Sequence, residues 1–149
     1  MKVRFALVLA AGLVAVSGMA HAQFQKPEDA VRYRQGALYV MNQHFVRIGA
    51  MANGRVPFDA KAVQENAAVV LTMSKLPWAA FGPETEDLKS KAKPEIWMET
   101  DKFRGAQNKM MTAVAALDSA ARTGNLDAVK KTFGEAAAAC KACHDAYRQ

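Results

Sequence analysis

Cys140, Cys143 and His144 stand close together near the end of the chain, with only Asp145 to Gln149 beyond them, and no other cysteine exists in the sequence. Cys-x-x-Cys-His is the attachment signal for a c-type haem. On a helix, residues three and four apart share a face. One face can therefore present two thiols to the vinyl groups of a porphyrin while the imidazole reaches its iron. A disulfide or a redox dithiol is the competing chemistry. A redox Cys-x-x-Cys normally sits in a βαβ context, and no strand pattern occurs in this sequence. A haem-free structural bundle would leave the two thiols and the imidazole without a purpose. Haem attachment uses all three residues.

The start of the chain bears on where such chemistry would occur. Lys2 and Arg4 precede an apolar run from Phe5 to Val16, and Ala20-His21-Ala22 closes it. This is the pattern of a cleavable secretory signal over residues 1–22, the run being too short to span a bilayer. Residues 23–149 are then expected to form one domain, long enough for a true core. The formal charge of +6 becomes +4 without Lys2 and Arg4. No basic and aromatic stripe points to nucleic acid, and no later segment is apolar enough for membrane insertion.

Periodicity and punctuation predict four helices to position the motif. The first opens at Pro27 with Glu28 and Asp29, carries Val31, Leu38, Met41, Phe45 and Ile48 on one line, and ends at Asn53-Gly54. The second starts after Asp59, carries Val63, Ala67, Val70 and Met73, and is stopped by Pro77. A turn-rich stretch from Gly82 to Lys93 leads to Pro94-Glu95, which opens a third helix through Ile96, Phe103, Met110 and Leu117. Thr123-Gly124-Asn125 breaks it, and a fourth carries Leu126, Val129, Phe133, Ala136, Cys140, Cys143 and Tyr147. Short connections between long helices imply an all-α, antiparallel up-down-up-down four-helix bundle. The first and last helices would run antiparallel, which sets Val31 to Leu38 across from the cysteines and encloses one covalent haem at that end.

Four stretches carry a resemblance to a known family. They are Lys26 to Gln35, Leu76-Pro77-Trp78-Ala79-Ala80-Phe81-Gly82, Pro94-Glu95-Ile96-Trp97, and Cys140 to Arg148. Over essentially all of residues 23–149 the chain resembles cytochrome c′, the class II c-type cytochromes. The resemblance implies thioethers at Cys140 and Cys143 and an axial iron bond from His144. It implies a distal pocket of Leu38, Trp78 and Phe81 that does not coordinate the iron. Arg34, Gln35 and Glu95 match residues that contact haem or its propionates, and Arg148 matches a basic group near the proximal face. Plain core packing is the alternative for Leu38, Trp78 and Phe81; for Arg34 it is a solvated place on the first helix, and for Arg148 the negative end of the fourth helix.

The sixth iron position decides the function expected. Leucine has no lone pair, and no methionine occurs between Phe24 and Val40. The iron is therefore expected to be five-coordinate and high-spin, with nitric oxide or carbon monoxide as ligands beside electron transfer. Met41, one turn past Leu38, is the alternative sixth ligand and would give a low-spin electron carrier. It reads better as core, as do Met73, Met98, Met110 and Met111 as core or loop filler. His44 falls beside the apolar line and reads as a surface or helix–helix residue. A peroxidase needs a distal acid–base group, and Leu38 supplies none. The expected setting is the periplasm, with redox partners drawn to basic residues Lys130, Lys131 and Lys141, and the resemblance implies a homodimer.

Overall fold

The computed structural model describes residues 23–149. The expected signal segment, residues 1–22, lies outside them. Helix α1 spans Pro27–Ala52 and α2 spans Ala60–Met73. A short α3 covers Glu95–Met98, followed by α4 at Thr100–Arg122 and α5 at Leu126–Tyr147. The long helices α1, α2, α4 and α5 form the antiparallel up-down-up-down bundle, with α1 beside α2, α2 beside α4, and α4 beside α5.

Local chemistry accounts for the boundaries. Pro27 occupies the first turn of α1, where a missing N–H costs nothing. Asp59 accepts from Ala62 N at 3.0 Å, and Asn125 accepts from Ala128 N at 2.9 Å, so side chains cap the starts of α2 and α5. Gly54 and Gly124 adopt φ of 70° and 68° in the two tight connections, a region that favours glycine.

One boundary agrees with the sequence reading and one differs. Helix α2 ends at Met73, whose carbonyl the Pro77 ring would meet in a continued helix. The expected third helix is two helices, broken at Glu99 with φ −124° and ψ 48°. Trp97 explains the break. Its Nε1 donates to Phe81 O at 3.0 Å and Gly82 O at 3.1 Å, which ties α3 to the preceding loop rather than to the axis of α4.

The core runs along the bundle axis through Ile48, Val63, Val70, Val114, Leu117 and Val129. Helices α1 and α5 press together at its closed end. A Cβ on Gly49 would lie 2.5 Å from Phe133 Cζ, and Phe133 stacks on Phe45 with centroids 4.5 Å apart. Toward the other end the two helices separate. Met110 is core as expected, whereas Met98 is 75% exposed on α3 and fills nothing.

Candidate functional site

The separation of α1 from α5 opens a mostly apolar cavity of about 840 Å³. That lies within the range of ordinary cofactor and ligand pockets. Arg34, Gln35, Leu38 and Met41 of α1 face it from one side, and Cys140, Cys143, His144 and Arg148 from the other. Trp78 and Phe81, on the loop after α2, close its end together with Phe103 of α4. The antiparallel pairing expected from the sequence thus brings the two sets of residues to one space.

The Cys-x-x-Cys-His wall is built by α5 itself. Cys140 and Cys143 are half-buried, and burial pushes both thiols up from their ordinary pKa, with Cys143 adding to the effect on Cys140. Reactive redox thiols show the opposite shift, toward a stabilised thiolate. The environment therefore argues against a redox dithiol. His144 is shifted down, first by desolvation and then by the positive charge of Arg148, which favours the neutral imidazole that a metal can bind.

Arg34 stands opposite, and its setting is unusual. It is only 2% exposed, yet no carboxylate among the described residues pairs with it. Nη1 donates to Ala80 O and to Thr85 Oγ1, both at 2.8 Å, and Nη2 donates to Ser90 Oγ at 3.3 Å. The guanidinium lies 4.3 Å above the Phe81 ring centroid and 5.7 Å from that of Trp97. Dipoles and aromatic faces thus support a cation whose counter-charge none of the described residues provides. Burial lowers its pKa from the ordinary arginine value.

Several expectations sort differently in space. Glu95 is exposed at the start of α3 and does not line the cavity; its neighbour Ile96 does. His44 lies half-buried between α1 and α2, with Nδ1 2.8 Å from Asn66 Oδ1. Asn66 Nδ2 donates to Ala62 O, which leaves its Oδ1 to face the His44 ring. Lys141 lies at the cavity mouth, paired with Asp145, whereas Lys130 borders a separate cleft beside Arg55 and Phe58. The basic outside of α5 is therefore split between two places.

Sequence reasoning missed Thr85, Ser90 and Asn42 at this site, and gave Trp97 no role in it. Loop residues that hold Arg34 from 51 and 56 positions away leave no periodic signal. Asn42 does carry one, since it follows Leu38 by one turn.

Comparisons with known proteins bear on this geometry. The family described as Cytochrome C' matches residues 29–148. Cytochrome c' of Alcaligenes xylosoxydans xylosoxydans is 47% identical over 127 residues, covering 85% of this chain and 98% of the relative. The crystal structure of cytochrome c' from Rubrivivax gelatinosus superposes with a TM-score of 0.83 at 47% identity, over 85% of this chain and 100% of that one. A nitric oxide complex of a leucine-to-isoleucine mutant of cytochrome c prime from Alcaligenes xylosoxidans gives a TM-score of 0.80 at 46% identity, over 85% and 99%.

Proposed function

The chain belongs to the cytochrome c′ family, and on that premise we propose that it is an exported haem protein that binds nitric oxide and transfers single electrons. Cys140 and Cys143 hold one haem through thioethers, and His144 is the one protein ligand to its iron. The observation that carries this reading is the pairing of walls. Two thiols and a largely neutral imidazole face a buried guanidinium with no protein counter-charge across an apolar cavity. A porphyrin fits both demands, being flat and apolar with carboxylates at one edge, and Arg34 binds a carboxylate well. The haem supplies an iron that exchanges one electron and accepts a diatomic ligand, its behaviour set by axial ligation and distal polarity.

The residues on the far side from His144 determine which ligand enters. Leu38 offers bulk and no lone pair, and Trp78 and Phe81 extend the apolar surface. Such a pocket favours nitric oxide or carbon monoxide over ligands that need a hydrogen bond, and it holds no acid–base group suited to peroxide cleavage. Met41 lines the same cavity but also packs against the bundle core. Residues 1–22 act as the export signal to the periplasm. Val40 and Val46 are exposed apolar side chains on α1 that do not line the cavity, and they support a homodimer.

Leu38→Ala tests the guarding role. Truncation is expected to raise the association rate of carbon monoxide with the ferrous protein at least about tenfold, equivalent to roughly 1.4 kcal/mol of removed barrier. Equal rates in the two proteins would show that Leu38 does not cover the binding face.

A further inference from the structure

Helix ends fray, and their last carbonyl groups lack partners within the helix. Here the end matters more than usual, because His144 lies only three residues before Tyr147, the last residue of α5. A frayed final turn would let the imidazole wander. The chain segment before α3 meets this turn directly. Lys93 Nζ donates to Asp145 O at 2.8 Å, and Lys93 N donates to Tyr147 O at 3.0 Å. Gln149 N donates to Lys91 O at 2.9 Å, and Ala92 forms an antiparallel bridge with Arg148. One lysine thus satisfies two of the terminal carbonyls, by side chain and by backbone.

The same segment reaches the opposite wall. Ser90 Oγ accepts from Arg34 Nη2 at 3.3 Å and from Ala92 N at 3.2 Å. Four residues therefore connect the buried arginine of α1 with the final turn of α5, around the edge of the cavity. Nothing in the bundle's long helices makes this link, since α1 and α5 have already separated at this end.

We propose that residues 90–93 form a positioning strap, in which Lys93 fixes the His144 turn and Ser90 ties its setting to Arg34. This rests on His144 being the iron ligand. Lys93 is a positioning residue that acts through the backbone of α5. Its function is to keep one orientation of the His144 imidazole toward the cavity.

The test uses the haem-loaded protein and three substitutions. Lys93→Met is expected to speed amide hydrogen exchange at Arg148 and Gln149 at least about tenfold. It is also expected to broaden and shift the iron–imidazole stretching band in the ferrous resonance Raman spectrum, while the melting temperature moves by no more than about 4 °C. Lys93→Arg should restore both the exchange and the band. Ser90→Ala, which spares both Lys93 bonds, should shift the band as well; no shift would overturn the link to Arg34. Faster exchange with an unchanged band would reduce Lys93 to a helix cap and overturn the positioning role. Unchanged exchange would overturn the strap itself. Absence of the band in the unmutated protein would instead overturn the five-coordinate, His144-bound iron on which the proposal rests, and the strap's role with it.

Discussion

Arg34 is a buried cation that pairs with no carboxylate among the described residues. Arg34 keeps its charge through two hydrogen bonds at 2.8 Å, a third at 3.3 Å and the face of Phe81. Removing it leaves the buried Ala80 carbonyl without its side-chain donor and, on the proposed function, a haem carboxylate without its partner. Arg34→Met should therefore lower the stability of the haem-loaded protein by about 1–3 kcal/mol, read from urea unfolding monitored at the haem band. Arg34→Lys should fall between the two, since an ammonium cannot reproduce the forked geometry. A methionine variant as stable as the parent would mean that no anion faces this position. Arg34 follows Val31 by three residues and precedes Leu38 by four, which is inward spacing on α1, so its direction is legible in the sequence. Its partners were not, because they lie on a loop with no periodicity.

At the scale of elements, the crossing of α1 over α5 shapes the cavity. Gly49 allows close approach at one end, and the helices diverge toward Leu38 and Cys140 at the other. Alanine is intrinsically the better helix former by about 1 kcal/mol. Its Cβ, however, would meet a Phe133 ring already stacked on Phe45, and overpacking of this kind costs about 1–3 kcal/mol. Gly49→Ala should therefore be net destabilising by roughly 1 kcal/mol in denaturant titration, with a gain in stability contradicting the wedge. The four long helices and most of their ends were readable from proline, acidic first turns and capping side chains. The break at Glu99 was not, since it arises from Trp97 bonding to carbonyls fifteen and sixteen residues away. The bridge between Ala92 and Arg148 escaped for the same reason: single long-range pairings leave no alternation.

For the whole molecule, the outer face of α1 and the cavity make separate claims. The exposed Val40 and Val46 support self-association, so the protein should sediment as a dimer and Val46→Lys should shift it to monomer. A parent protein that sediments as a monomer would remove that proposal without touching the haem site. The bundle, the antiparallel placement of α1 and α5, and the meeting of Leu38 with the cysteine motif all followed from apolar spacing and the position of the motif near the chain end. The cavity's size and the strap at its edge depend on packing that spacing alone does not encode. The central claim concerns the side of the iron covered by Leu38, and nitric oxide titration of the purified haem-loaded protein, followed by visible and electron paramagnetic resonance spectra, tests it most directly. The expected result is a high-spin ferric spectrum without added ligand and a saturable change on adding nitric oxide to the ferrous protein. A low-spin spectrum indifferent to nitric oxide would contradict the account and assign the sixth position to a side chain, with Met41 the nearest candidate on the cavity wall.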